Sequence, residues 1–159
     1  MAQSNSLPIY AIPGMGVDSR IFKELRLDQQ IHFLEWEDPF GERESLSDYA
    51  QRFARKLPNE PFILLGLSFG GILAQEISRF KPVRGIILLS SIRDESGLPW
   101  HMKLMQWVPY YQLSRGNWRI KTMPLWGPFV GLTDPEEIKF LQKVFAEFGV
   151  FYRMWAVRT

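Results

Sequence analysis

The sequence predicts an α/β fold: a doubly wound, mostly parallel sheet followed by a C-terminal helical segment. Three observations carry that prediction. Short apolar runs lie at residues 7–12, 31–36, 62–67 and 83–90. Strands read as near-continuous apolar runs when helices cover both faces of a parallel sheet. Helix-like stretches separate the runs, and the resulting order βαβαβαβ implies an open, doubly wound sheet. After Ser91 the strand signal ends, and large apolar residues recur at helical spacing instead.

The first strand, 7–12, ends at Pro13-Gly14. Asp18 or Ser19 then caps a helix running to about Leu27. The second strand covers 31–36. A helix over 45–57 opens with Ser45 and Ser47 as caps and carries Tyr49, Phe53 and Leu57 at four-residue spacing. The third strand, 62–67, runs directly into a helix over 69–80 that ends before Lys81-Pro82. The fourth, 83–90, is Val-Arg-Gly-Ile-Ile-Leu-Leu-Ser.

Beyond it, Trp100, Leu104, Trp107 and Tyr111 are spaced as on one helix face. Asp134 and Pro135 read as the cap and first position of a further helix. Phe140, Leu141, Val144, Phe145 and Phe148 make its apolar stripe before Gly149, and a last helical run covers 150–157. The organisation expected is a core over 1–91 and a helical segment over 92–159.

At 159 residues, with 46% hydrophobic and 23% charged residues, the chain has the balance of one ordinary globular domain. A net charge of +2 without a dense Lys/Arg cluster gives no footprint for nucleic acid. Cysteine is absent, which excludes disulfides, a thiol nucleophile and Cys-ligated metal. The N-terminus lacks the basic start and apolar core of a signal peptide. The uncharged run 61–75 contains three glycines and, at 15 residues, is too short to span a membrane. A cytoplasmic location is expected.

The strongest chemical signal is Gly66-Leu67-Ser68-Phe69-Gly70-Gly71. It joins the most apolar strand to a helix. A serine there sits on a tight, strained turn with its hydroxyl pushed clear of the sheet. Its neighbours two residues either side must be small because strand and helix pass close together, and Gly66 and Gly70 meet that need. Phe69 then presents its backbone N–H at the helix N-terminus, where it can stabilise an oxyanion. A second glycine-flanked loop, Pro13-Gly14-Met15-Gly16, follows the first strand, and its Met15 N–H is the second candidate donor.

These two loops, with the strand 85–91 leading into a helical insert, resemble the N-terminal part of the α/β-hydrolase superfamily, specifically its small bacterial members with a helical cap. The resemblance covers about residues 8–157. It implies that Ser68 is the nucleophile of a serine hydrolase that cleaves an ester or amide bond through an acyl-enzyme. It implies that Met15 and Phe69 form the oxyanion hole and that the segment after Ser91 is a lid. No metal or cofactor is needed. The partner is a small-molecule substrate. A pocket roofed by residues such as Trp100, Met102, Trp107, Met123, Trp126 and Phe129 would favour an apolar group on it.

In this family the order along the chain is serine, then an acid, then a histidine. Acid and histidine normally follow two further strands beyond the cap. The chain is therefore expected to be an incomplete member, inactive or weakly active alone, with its fourth strand an uncovered sheet edge. His32 precedes Ser68 and reads as a strand residue. Asp94 and His101 satisfy the order formally, but His101 begins a lid helix, so the expectation is a solvated loop acid and a lid histidine. Dehalogenase chemistry is disfavoured because Ser68 stands where a carboxylate would be needed.

Two other readings compete. Hydrolase folds also serve as non-catalytic binding proteins. A dinucleotide site would use Gly14, Gly16 and Glu35, but Ser19 replaces the third small residue of that fingerprint and Pro13 precedes its first glycine.

Overall fold

Four apolar runs become four parallel strands: β1 (Ile9–Ile12), β2 (Ile31–Phe33), β3 (Phe62–Leu67) and β4 (Val83–Leu89). The structure is a computed structural model and describes residues 6–41, 43–94, 118–130, 132–147 and 155. It divides into two units, residues 1–37 with 44–98, and residues 38–43 with 99–159.

In the first unit the strand order is β2-β1-β3-β4. The chain steps outward from β1 to β2, then returns past β1 to lay β3 on its other side. The winding therefore reverses between β1 and β3. The inner strands hold the core: Ile9, Ala11 and Ile12 of β1 and Phe62, Leu64 and Leu65 of β3 are buried. Side chains alternate between the two faces. Ile9, Ala11, Ile63, Leu65, Leu67 and Leu89 share one face with Ile21, Phe22 and Leu25 of the connection that follows β1. Gly66 lies on the opposite face, against the helix that follows β3.

The outer strands depart from the expectation of burial on both faces. β2 and β4 contain no buried residue, and Ile87 is 40% exposed. β4 stands at the edge of the described sheet, so one flank of it has no neighbouring strand.

The helix α1 (Leu46–Phe53) is capped by Ser45, whose hydroxyl accepts from the Asp48 N–H at 3.1 Å; Ser47 is not the cap. Tyr49, Ala50 and Phe53 are buried, and one 3₁₀ turn, Ala54–Lys56, carries the chain to buried Leu57. The helix α2 (Phe69–Ile77) stops three residues short of the expected 80. Ser78 closes it: its N–H donates to Ala74 O at 3.1 Å and its hydroxyl to Gln75 O at 2.6 Å.

The helix expected from Asp18 to Leu27 is instead a single 3₁₀ turn, Ser19–Phe22. Three-residue hydrogen bonds hold it, from Ile21 to Asp18, Lys23 to Arg20 and Leu25 to Phe22. Nucleating an α-helix is unfavourable, and one short apolar cluster followed by Asp28-Gln29-Gln30 does not offset it.

In the second unit α3 (Pro135–Glu147) starts as read, with the Asp134 carboxylate accepting from the Glu136 N–H at 2.8 Å. It buries Ile138, Leu141 and Val144, while Phe140 and Phe145 are half-buried. Short helical turns cover Trp118–Lys121 and Met123–Trp126, and Met123 and Trp155 are fully buried. The expected helix face from Trp100 to Tyr111, Met102, Phe148 and most of the last helical run lie outside the described residues, as do the side chains of Trp126 and Phe129. Among the described residues no helix is long and apolar enough to cross a membrane.

One charged cluster supports the connection from β2 to α1. Arg52, on α1, makes a two-point contact with Glu44, both hydrogen bonds at 3.1 Å, and a closer one with Glu37. The side chains of Arg52 and Glu44 are only 12% and 7% exposed. Burial disfavours the Arg52 charge, but the two carboxylates outweigh it and hold the guanidinium protonated more firmly than in water. Removing one partner of such a pair strands a buried charge. Arg52→Ala should therefore destabilise the first unit by about 3 kcal/mol, read as a lower urea midpoint at unchanged slope.

The carboxylate of Asp18 caps its turn at Arg20 N, 3.0 Å away, and the Arg20 side chain holds its pKa below 3.8. A carboxyl more acidic in the folded state stabilises above its unfolded pKa, and that contribution is lost as pH falls through the folded value. Asp18→Ala is expected to lose up to about 1 kcal/mol at neutral pH, and progressively less as pH falls through the folded-state value. Paired urea titrations would measure the difference.

Candidate active site

Two glycine-bearing loops leave the C-terminal ends of β1 and β3, the strands between which the winding reverses. In open α/β sheets such a reversal opens a crevice beyond the strand ends, and ligands bind there.

The loop after β3 turns on Ser68. Its backbone lies at φ 50 and ψ −120, a conformation that disfavours every residue but glycine. Holding serine there costs on the order of 1–3 kcal/mol, so the surroundings must enforce it. The Ser68 N–H donates to Leu89 O at 2.8 Å, tying the turn to the end of β4. The Ser68 carbonyl accepts from the Gly71 N–H at 2.9 Å and from the Ser91 hydroxyl at 2.7 Å. The Ser68 residue itself is exposed.

Three glycines make the turn sterically possible. A Cβ on Gly66 would lie 2.4 Å from the Cα of Gly71. On Gly70 it would lie 2.3 Å from the Pro13 carbonyl oxygen and 2.5 Å from that of Ile12. On Gly71 it would meet the Ser91 hydroxyl at 2.3 Å. Strand β3, helix α2 and the end of β1 are thus in backbone contact around Ser68.

The loop after β1 is a tight turn. The Val17 N–H donates to Gly14 O at 3.3 Å, and Gly16 takes φ 74 at the third position, as a type II turn requires. That turn leaves the Met15 N–H outside its own hydrogen bond. Gly14 abuts the other loop: a Cβ there would sit 3.6 Å from the Cβ of Ser68. Phe69 is the first residue of α2, where the N-terminal backbone N–H groups of a helix have no partner within it.

The structure therefore brings Gly14, Met15, Gly66, Ser68, Phe69 and Gly70 together. It does not bring His32 there. His32 stacks on Tyr10 at 4.8 Å and is in register with it, two strands from β3. From strand rise and spacing it lies on the order of 15 Å from Ser68. Asp94 is exposed, beyond the end of β4, and His101 lies outside the described residues. Both carboxylate oxygens of Glu35 accept from the Ser19 N–H at 3.3 Å. Among the described residues there is no group of three or more His, Asp or Glu that could hold a metal ion.

Two contributors are absent from the sequence reading. Trp36, placed there at the end of β2, lies beyond a strand that stops at Phe33, and its indole N–H donates to Gly14 O at 2.9 Å. Ser91, read as the end of a strand, ties β4 to the Ser68 carbonyl. A pair of small hydroxyl residues ending the strand beside the serine turn, Ser90-Ser91, was the only signal available for it.

The glycines divide by what a methyl group would meet. Gly70→Ala drives a Cβ into two backbone carbonyls that cannot swing aside, and should destabilise by about 3 kcal/mol. Gly14→Ala meets its neighbours at 3.5 Å or more and should stay within about 0.5 kcal/mol of the parent. Urea unfolding of the two variants checks the contrast.

A sequence model of the alpha/beta hydrolase family matches residues 9–158. Among curated proteins none matches. Solved structures do. A hydrolase from Oleispira antarctica superposes with a TM-score of 0.65 at 14% identity, over 98% of this chain and 65% of its own. MenH from S. aureus gives 0.61 at 16%, over 99% of this chain and 67% of its own. An N-acyl homoserine lactone degrading enzyme gives 0.58 at 14%, over 97% and 63%. At these identities the likeness is one of fold, and the chain spans just under two thirds of the Oleispira protein's length. Strand order, serine turn and family match agree: the chain belongs to the alpha/beta hydrolase family.

Proposed function

We propose that Ser68 is the nucleophile of an acyl-transfer site that cleaves an ester or amide bond in a small molecule bearing an apolar group. The observation that carries this reading is the Ser68 backbone, at φ 50 on the tip of a strand-to-helix turn where three glycines leave no room for a Cβ. Strain of that kind persists where the surroundings over-determine it, and it clusters at active sites.

In the proposed reaction the Ser68 hydroxyl oxygen attacks the substrate carbonyl carbon while a base takes its proton. The carbonyl oxygen becomes an oxyanion, held by the Met15 and Phe69 N–H groups. Collapse expels the alcohol or amine, which takes up the proton, and leaves an acyl group on Ser68. Water then hydrolyses that ester and restores the serine. Turnover needs a histidine and an acid, and among the described residues no histidine reaches Ser68. The proposal for the 159-residue chain alone is therefore acylation at Ser68 with slow or absent turnover. A dinucleotide site draws no support from Glu35, whose carboxylate is engaged with Ser19.

The test is labelling by a fluorophosphonate, with and without imidazole as an external base, followed by intact-mass spectrometry. One label per chain is expected, mapped to Ser68, faster with imidazole and absent from Ser68→Ala. Equal labelling of Ser68→Ala, or a label mapped elsewhere, would overturn the reading.

A further inference from the structure

We propose that Trp36 is a positioning residue for the oxyanion hole, aiming its Met15 donor through the indole N–H and packing on the side chain of Phe69, which carries the other. The inference rests on the reading of Ser68, Met15 and Phe69 given above and extends it to a residue with no chemistry of its own.

The argument starts from the peptide unit. The Gly14 carbonyl and the Met15 N–H belong to the same planar amide, and in a trans unit they point in opposite directions. Whatever holds the Gly14 oxygen therefore aims the Met15 N–H. Two donors hold it: the Val17 N–H at 3.3 Å, within the turn, and the Trp36 indole N–H at 2.9 Å, from outside it. The indole bond is the shorter of the two and reaches across 22 residues of sequence. A donor on the carbonyl also draws electron density from the amide, which makes the N–H at its other end a stronger donor.

The same ring packs on the side chain of the residue that carries the second donor. The Trp36 indole stacks on the Phe69 ring at 5.6 Å and 24°, and Phe69 is the residue whose N–H follows Ser68. Trp36 is itself fixed from behind. The buried rings of Tyr49 and Phe53 on α1 each lie 6.1 Å from it. The Tyr49 hydroxyl clamps the next residue, donating to Glu37 O at 2.9 Å and accepting from the Glu37 N–H at 3.1 Å. The main helix core thus reaches the rim of the site through Trp36.

Phenylboronic acid tests this. The Ser68 oxygen adds to the trigonal boron and loses its proton to solvent. The boron becomes tetrahedral and anionic, with one of its oxygens placed as an oxyanion would be. Boron NMR reads the adduct in the 159-residue chain. Trp36→Phe keeps an aromatic ring and removes the N–H. Benzothienylalanine at position 36 keeps the indole shape and replaces the N–H by sulfur. Both should weaken the Ser68-dependent adduct on the order of tenfold or more and shift the Met15 amide nitrogen resonance, with the thermal midpoint of the shape-preserving variant unchanged. An adduct undiminished by the benzothienyl replacement overturns the assignment, even if Trp36→Phe weakens it, because shape alone would then be at work. A parent chain forming no more adduct than Ser68→Ala overturns the reading of Ser68, and the role of Trp36 falls with it.

Discussion

Everything distinctive about this structure follows from three backbone segments meeting within a few ångströms. The end of β3, the first turn of α2 and the exit of β1 converge on one point, and the first two surrender side chains there. Gly66 admits the helix, Gly70 admits the β1 carbonyls and Gly71 admits Ser91. With those approaches fixed, the residue between strand and helix has one way to turn, and the resulting φ of 50 is a consequence of packing rather than of serine's preference. Two hydrogen bonds at the end of β4, from the Ser68 N–H to Leu89 O and from the Ser91 hydroxyl to Ser68 O, lock the outcome.

The convergence also sets what the site can hold. The two donors proposed for it are backbone groups, which need no rotamer to be chosen when a ligand arrives. Preorganised backbone donors stabilise developing charge without reorganising. The packed rings of Trp36, Phe69, Tyr49 and Phe53, with the Trp36 bond to Gly14 O, link α1 to both loops.

The sequence made the central strand and the serine turn legible because their signals are local. The run 62–67 is apolar at every position but the glycine, and the glycines around Ser68 fall within six residues of sequence, even though Gly70 and Gly71 make room for Ile12, Pro13 and Ser91. What was not legible depends on distant partners. The 3₁₀ turn at Ser19–Phe22 looked like a helix because a cap and a few apolar residues are all that sequence displays of either. β4, expected at a sheet edge, read like a strand buried on both faces, yet none of its residues is buried. Trp36 was hidden because its role is a bond to a backbone oxygen 22 residues away, which no pattern along the chain encodes.

The Arg52 cluster brackets a detour. Glu37 and Glu44 stand at the two points where the chain leaves and rejoins the first unit, and the six residues between them belong with residues 99–159. The chain therefore passes between units three times, and the second unit has no single N-terminal boundary. During synthesis residues 38–43 emerge long before their companions, as a short loop whose ends Arg52 can already hold. They carry Phe40, 83% exposed. The second unit is consequently not a module that one cut could lift out or graft elsewhere: any rearrangement that moves residues 99–159 must also account for six residues left behind.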